Sequence, residues 1–325
     1  MTHSTHRAAR RQTLALMGAA MLAGMLPAGA ARAAADGGKR AVRIGYQKYG
    51  TLTLLKGRGT LDARLAAQGI SVKWTEFPAG PVLLEGLNVG SIDFGTVGEA
   101  PPIFAQAAGA NLVYVGYEPP SPGSEAIVVP KNSPLRTLAD LRGKKVALNK
   151  GSNVHYLLVK ALEKAGIAYP DIQTVFLPPA DARAAFERGA VDAWAIWDPF
   201  LAAAEHQLGA RVLADGSALV SNHQFYLAAR SYAEKNADIV AIVLEELAKV
   251  DDWGRAHLSE VAAILAAQTG LETAVLTRAA RRYSYGVKPV SAAVIAEQQK
   301  IADVFAQLKL IPGPIVVKNA LLAAR

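Results

Sequence analysis

From residue 42 onward the sequence alternates short apolar runs with helix-length segments, and it does so in two series. Short apolar runs bounded by turn residues are typical of buried strands. The runs are 42–47, 71–77, 92–97 and 112–117, followed by 125–129, 145–149, 174–177 and 191–197. Strands that alternate with helices form parallel sheets. The pattern therefore predicts an α/β fold in which mostly parallel sheets are flanked by helices.

The two series are joined by residues 118–124, a connector with three prolines and one glycine. Such a composition marks a turn-rich link between structural units. A second crossing is expected near 224–230, after which the pattern is helical to the end. We therefore predict two lobes, 42–123 with 230–325 and 124–229, the first including a helical C-terminal region. A cleft between them would bind a ligand, because open α/β sheets bind ligands at the carboxyl ends of their strands.

The first 35 residues have the composition of an export signal. Basic residues, including the pair Arg10 and Arg11, precede an apolar run from Leu14 to Leu26, which is followed by small residues. A basic region, a short apolar region and small residues define a cleavable signal, and paired arginines are typical of the twin-arginine route. An uncleaved anchor or a disordered basic tail would be the alternatives. We expect residues 1–35 to be removed and the protein to be periplasmic.

Charge and composition exclude several classes of function. The formal charge is +8, and removal of residues 1–35, which contain four arginines and no acid, leaves +4. The basic residues do not form the clusters with interleaved aromatics that nucleic-acid binding requires. There are no cysteines, which rules out disulfides, thiolate metal sites and cysteine nucleophiles. No apolar run after the signal is long enough to span a membrane.

The sequence also lacks the patterns of common catalytic and cofactor sites. No HExxH, GxSxG, P-loop or GxGxxG motif is present, and the six histidines are not at metal-ligand spacing. We therefore predict a binding protein with no catalytic residue, no metal and no cofactor.

The junction of residues 150–155 is a candidate anion site. A predicted strand ends there and a helix begins, with Gly151 allowing a close backbone approach and Ser152 or Asn153 able to cap the helix. The first N–H groups of a helix lack intrahelical partners and lie at the positive end of its dipole. An ordinary capped helix start would look the same. His155, inside the helix, is either packed in the interior or a ligand contact.

Two turns in the first series offer similar groups. Gly98 and Glu99 follow a predicted strand and precede a helix with early prolines. Glu99 either interacts with the helix dipole or meets a polar group of the ligand, although it would repel a bare anion. After the first strand, Gln47 and Thr51 provide uncharged donors.

Two further candidates lie at the end of the last predicted strand. Trp194 and Trp197 fall on opposite faces of that strand, which favours Trp194 in the core and Trp197 at the cleft. Asp198, the next residue, either caps the following helix or touches the ligand.

Taken together, these segments resemble the periplasmic substrate-binding proteins of ABC transporters, in particular the aliphatic sulfonate-binding proteins. The run Thr137–Val146 is general to many solute-binding proteins, whereas Phe77–Pro81 and Trp194–Pro199 are more specific to the sulfonate group. The resemblance covers about residues 42–320. It implies a type II fold whose two lobes close on the ligand, and a monomer that delivers an organosulfonate to membrane permease subunits for sulfur acquisition.

The resemblance also implies an anion site. The matching positions are Gln47, the turn at Gly98 and Glu99, the junction 150–155, and Trp197 with Asp198 at the cleft wall. The family often has Thr-Gly-Asp where this chain has Val97-Gly98-Glu99, and Gly-Ser-Ser-Ser-His at 151–155, which leaves the preferred organic tail open.

Other ligands and one other class of function are compatible with these features. Nitrate, taurine, sulfate esters or another small anion could bind at the same helix starts. The fold is also used by pyrimidine-precursor synthases and desulfinases. The absence of cysteine argues against a desulfinase, and the export signal argues against a synthase, for which His155 would be the candidate residue.

Overall fold

The computed structural model describes residues 40–322, so the predicted export signal lies outside the described part of the chain. In this part of the chain ten strands form two sheets. They are β1 Ala41–Tyr46, β2 Ser71–Glu76, β3 Phe94–Gly98, β4 Leu112–Tyr117, β5 Glu125–Val129, β6 Lys145–Leu148, β7 Gln173–Phe176, β8 Ala193–Trp197, β9 Arg211–Asp215 and β10 Gln224–Ala229.

Twelve α-helices between residues 40 and 322 flank these sheets. They are α1 Gly50–Arg58, α2 Thr60–Ala66, α3 Gly80–Asn88, α4 Pro101–Ala107, α5 Asn153–Lys164, α6 Pro179–Glu187, α7 Phe200–Leu208, α8 Arg230–Lys235, α9 Ala237–Ala256, α10 Leu258–Thr269, α11 Thr273–Arg282 and α12 Ala292–Gln307. Within residues 40–322, none of the helices is long and apolar enough to cross a membrane.

The first sheet has the order β2-β1-β3-β10-β4, and the second has the order β7-β6-β8-β5-β9. In each sheet the pairs formed by its first three strands are parallel. One strand of each sheet runs against its neighbours: β10 in the first sheet and β5 in the second. Both sheets are therefore mixed, and the α/β class predicted from the sequence is confirmed.

The two crossings between the sheets are residues 118–124 and 216–223, because β4 and β10 belong to the first sheet while β5 and β9 belong to the second. The first crossing is where the sequence predicts it. The second precedes Gln224, so the prediction that 224–229 belongs to the second lobe is wrong. Every residue from Gln224 to Ala228 is buried between β3 and β4. After Gln224 this short strand is apolar at every position, so it shows no alternation by which to recognise it.

Helices pack on both sheets, and the inner strands β3, β5 and β8 are buried at every residue. The core of the second sheet is formed by β5, β6 and β8 with α5, α6 and α7. The first sheet has one core toward α1, α9, α10 and α11, and another toward α3, α4 and α12. The helical C-terminal region thus packs on the first sheet, and the carboxyl ends of β1, β3, β6 and β8 are left to form the site.

Candidate functional site

A small cavity, the inner cavity, lies between the parts of the chain that carry the two sheets. Its wall includes residues from the first-sheet side, Lys48, Tyr49, Gly50 and Tyr283, and residues from the second-sheet side, Asn153, Trp197 and Asp198. Its volume is about 30 Å³, enough for about one or two water molecules. Three of the residues predicted from the sequence, Asn153, Trp197 and Asp198, are thus brought together at one site.

The starts of two helices face this cavity. Gly50 is the first residue of α1 and Asn153 is the first residue of α5, and both line the wall. Within residues 40–322, neither helix start has a side-chain cap. Ser152 is the N-cap residue of α5, one of the two positions that the sequence suggested, but its hydroxyl donates to the carbonyl of Asn149 at 2.7 Å and accepts no hydrogen bond from the helix start. The positive ends of two helix dipoles are therefore available to an anion in the cavity.

A second space, the outer groove, adjoins the inner cavity and shares Lys48, Tyr49, Trp197 and Pro199 with it. Its volume is about 280 Å³. The rest of its wall is mainly aromatic residues and prolines, with Gln47 and Glu76 as polar members; the apolar residues are Phe77, Pro78, Pro178, Pro179, Ala180 and Phe200. Such a wall can bury an apolar tail attached to a group in the inner cavity.

Gln47 lines the outer groove and holds Tyr49 in place. Its side-chain amide donates to the carbonyl of Thr96 at 3.1 Å and to the hydroxyl of Tyr49 at 3.3 Å, and that hydroxyl donates to Gln224 Oε1 at 2.8 Å. Tyr49 contributes to both cavities and Gln224 to the inner one. The sequence indicated Gln47 as a donor, but the pairing of Tyr49 with Gln224 was not predictable from it, because the two residues are distant in the chain.

Asn153 links the ends of both crossings to the cavity. Its amide nitrogen donates to the carboxyl of Glu125 and, at 3.0 Å, to Asn222 Oδ1. Asn222 in turn donates to the carbonyl of Ser121 at 2.9 Å and to the hydroxyl of Ser124 at 3.0 Å. Gly98 lies against the same side chain. The two turns that the sequence predicts as anion sites therefore meet at the contact between Gly98 and Asn153.

Glu99 lies apart from the inner cavity. Its carboxyl accepts a hydrogen bond from the backbone N–H of His223 at 3.1 Å, and it lines a different pocket together with His223 and Glu297. The side chain is almost fully buried, and this burial raises the pKa of the carboxyl to about 8. A neutral carboxyl at this place does not repel an anion, and the predicted contact of Glu99 with the ligand is not supported.

Asp198 forms part of the cavity wall and also caps α7. Its Oδ1 accepts from the backbone N–H of Ala202 at 2.9 Å, as one of the two sequence interpretations proposed. Burial raises the pKa of the carboxyl to about 6, although the neighbouring Arg282 acts in the opposite direction. Near neutral pH the wall therefore carries a carboxylate.

His155 and Thr51 do not line the inner cavity or the outer groove. The N–H of Gly151 donates to His155 Nδ1 at 3.2 Å, which leaves the ring proton on Nε2, 2.7 Å from the hydroxyl of Tyr169. Burial lowers the pKa of His155 to about 4, so the ring is neutral. The hydroxyl of Thr51 donates to Asp251 at 2.6 Å. Both side chains are therefore engaged by other residues of the interior. Their prediction as ligand contacts is not supported.

Gly151 is needed by the turn itself. Its φ is +74°, a value that favours glycine, and a Cβ there would lie 3.2 Å from the ring of Phe104.

Across residues 40–322, no group of three or more His, Asp or Glu side chains could hold a metal ion.

Two mixed α/β sheets, two crossings and a cavity between them define the class of two-lobed solute-binding proteins. The family described as NMT1/THI5 like matches residues 65–257. A relative from Escherichia coli (strain K12), named as an aliphatic sulfonates-binding protein, is 49% identical over 300 residues, which are 92% of this chain and 93% of that protein.

Two solved structures are also similar. The alkanesulfonate-binding protein SsuA from Xanthomonas axonopodis pv. citri bound to MOPS has a TM-score of 0.83 and 44% identity, covering 87% of this chain and 98% of the other. The periplasmic aliphatic sulphonate binding protein SsuA from Escherichia coli has a TM-score of 0.79 and 48% identity, covering 88% and 93%. The chain belongs to the aliphatic sulfonate-binding proteins, within the NMT1/THI5-like family. These relatives are named as binding proteins and not as enzymes.

Proposed function

We propose that this protein is the exported, periplasmic substrate-binding component of an ABC importer for aliphatic sulfonates. It would act as a monomer and deliver the ligand to the membrane permease for sulfur acquisition. The observation that carries this proposal is the convergence of two helix starts without side-chain caps on a cavity that opens beside an aromatic groove. The 49% identity to a named sulfonate-binding relative supports the same ligand class.

A sulfonate head group suits the inner cavity for physical reasons. It stays ionised at all relevant pH values and has three acceptor oxygens but no donor, so neutral N–H and O–H groups satisfy it without proton exchange. The starts of α1 and α5 provide N–H groups at this place, and Tyr49 and Tyr283 line the same wall. Glu99, which lies outside the cavity and remains protonated near neutral pH, does not oppose the anion.

The outer groove would bury the organic tail. Trp197 forms a wall common to both spaces, so a ligand whose head lies in the inner cavity would extend along its ring into the groove. Phe77 and Phe200 face the tail from opposite sides of the cleft, one from the first-sheet part and one from α7. A bare inorganic anion would gain nothing from this apolar surface.

Together, these interactions can account for a dissociation constant in the micromolar range. Charge-assisted hydrogen bonds contribute about 1.5–3 kcal/mol each, and a helix start contributes about 0.3–1 kcal/mol. Three or four such contacts with tail burial can offset the ordering costs and give about −8 kcal/mol, which is near-micromolar binding. The inner cavity is smaller than an alkanesulfonate, so the ligand must enter while the two sides are further apart. Closure about the two crossings then follows as a population shift.

Calorimetric titration of the protein without its export signal tests this proposal. The ligands are butanesulfonate, hexanesulfonate, MOPS, taurine, butyl sulfate, nitrate and sulfate. We expect roughly micromolar binding of the alkanesulfonates, with nitrate and sulfate about a hundredfold weaker. Silence of every sulfonate, or tighter binding of nitrate, would contradict the proposal.

A pair of variants locates the tail. Phe200 lines the outer groove, whereas Phe176 is an exposed phenylalanine on β7 that lies outside it. Phe200→Ala should weaken hexanesulfonate more than a short sulfonate, because it removes apolar surface from the tail only. Phe176→Ala, the matched control, should leave both affinities unchanged. Equal effects of the two variants would place the tail elsewhere.

A further inference from the structure

An ionised carboxylate at the wall of an anion-binding cavity requires compensation. The carboxyl of Asp198 lines the inner cavity and its side chain is 7% exposed. A negative charge at short distance in a poorly solvated place would oppose any anionic ligand. The hydrogen bond from the N–H of Ala202 reduces this effect but adds no positive charge.

Arg282 supplies a positive charge to this carboxylate from the other side of the cleft. Its Nη1 lies 3.4 Å from Asp198 Oδ1 and 3.5 Å from Oδ2, and its Nη2 donates to Glu205 Oε2 at 2.5 Å. Arg278 lies one helical turn earlier on α11 and pairs with Glu205 Oε1 at 3.4 Å. Two arginines and two carboxylates thus form one network whose formal charges cancel.

This network joins elements that belong to different sheets. Asp198 follows β8, and Glu205 is on α7, which packs on the second sheet. α11 packs in the core of the first sheet. A small buried cluster between α7 and α11 holds the two helices together beside the charges, and it consists of Ala202, Ala203, Val275 and Ala279. The guanidinium of Arg282 is therefore placed by packing.

Lys48, a cation of the cavity wall, is poorly placed to neutralise Asp198. Lys48 lines the wall, but its side chain is 44% exposed and its Nζ lies 3.6 Å from the carboxylate of Glu76. Solvent screens an exposed pair of this kind. Arg282 is only 23% exposed.

We infer that Arg282 is the residue that makes the inner cavity tolerant of an anion, by neutralising Asp198 without binding the ligand itself. The inference rests on the proposed function, because it requires a negatively charged ligand. In this inference Asp198 is a negative charge of the cavity wall that Arg282 compensates. Asp198 does not accept a hydrogen bond from the ligand.

A double-mutant cycle measured by calorimetry with butanesulfonate tests this inference. Arg282→Gln should weaken binding about tenfold, because Asp198 is then left without its cation. Asp198→Asn, which keeps the acceptor for the N–H of Ala202, should tighten binding about threefold. The double variant should return to within about threefold of the unsubstituted protein. Arg278→Gln is the control, since Arg278 belongs to the network but is not paired with Asp198, and it should change the affinity less than twofold.

The outcomes separate charge from packing. Failure of the double variant to recover the affinity, or no effect of Arg282→Gln, would overturn the inference. Weaker binding of Asp198→Asn would also overturn it, because Asp198 would then be an acceptor for the ligand. If Arg282→Gln does not fold, Asp198→Asn and Arg282→Lys still test the inference. Arg282→Lys should keep most of the affinity, because it keeps the positive charge. A protein that binds no sulfonate at all refutes the proposed function instead.

Discussion

Gly98 lies directly against the side chain of Asn153: a Cβ on Gly98 would come within 2.8 Å of Asn153 Cγ. Gly98 ends β3 of the first sheet, and Asn153 begins α5 beside the second. This contact therefore sets how closely the two sides of the cleft can approach. The space that glycine leaves is required by the contact and not by the backbone conformation, since Gly98 has no positive φ.

Gly98→Ala should consequently weaken sulfonate binding by roughly tenfold, because the added methyl group would overlap the Cβ, Cγ and Oδ1 of the Asn153 side chain. Calorimetry with butanesulfonate measures the effect. Gly313→Ala is the matched control, since a Cβ at Gly313 meets no atom within 4 Å. Equal affinities for the two variants would show that this contact does not limit binding.

The two tryptophans of β8 should separate binding from stability. Trp197 lines both cavities, whereas Trp194 is buried in the core against Phe186. Trp197→Ala should reduce affinity by at least about tenfold, as expected for a buried aromatic at the centre of a binding site. Trp194→Ala should lower the free energy of unfolding by about 3–5 kcal/mol. Urea melts and titrations at low temperature measure both quantities. An unchanged affinity in Trp197→Ala would refute the placement of the ligand.

His155 should affect stability in acid but not affinity. Its pKa is lowered from the usual 6.5 to about 4 because the neutral ring is buried. The neutral ring therefore stabilises the fold above pH 6.5, and this contribution is lost as the pH falls toward 4. His155→Gln should be less stable at pH 7, and its disadvantage should shrink by about 1.4 kcal/mol per pH unit in this range.

Urea melts at several pH values measure this change, and the half-exposed His206 provides the control through His206→Gln. Butanesulfonate affinity at pH 7 should stay within about twofold, since His155 does not line the cavity. A loss of affinity without a change in the acid dependence would mean that His155 contacts the ligand after all.

The contribution of Glu99 to the free energy of unfolding should fall as the pH rises. Its pKa is raised from the usual 4.5 to about 8 by burial, so it stays protonated in the fold while the unfolded chain loses the proton. The stabilisation is complete below pH 4.5 and is lost as the pH rises through 8. Glu99→Gln should therefore become more stable relative to the unsubstituted protein by about 1.4 kcal/mol per pH unit between pH 5 and 8. Glu85→Gln, an exposed control on α3, should give a parallel curve. The prediction would be contradicted if the stability of Glu99→Gln changed with pH in parallel with that of the unsubstituted protein.

Strand positions followed from the sequence where turn residues bound an apolar run. The predicted runs 112–117 and 125–129 coincide with β4 and β5. β9 and β10 were missed. β10 is buried almost throughout and has no alternating pattern, and its position between β3 and β4 depends on a crossing from the second sheet.

Part of the site was also predictable, because some of its residues lie at the ends of strands that the sequence shows. Asn153, Trp197 and Asp198 lie at or shortly after the carboxyl ends of predicted strands, and such positions converge at the edge of a parallel sheet. His155 and Thr51 also lie just after strands, but their side chains point into neighbouring cores. No local pattern distinguishes a helix residue that faces the cleft from one that faces Phe104.

The sequence by itself determined the α/β class, the first crossing, the helix starts at the strand ends and the family to which the chain belongs. These properties are local, since apolar period, turn residues and short motifs specify them. Only the tertiary structure decided which groups meet across the cleft: Gly98 with Asn153, Tyr49 with Gln224, and Arg282 with Asp198. Each of these pairs joins residues more than 50 positions apart, and their contact depends on how the two sheets and their helices pack together, which no short segment encodes.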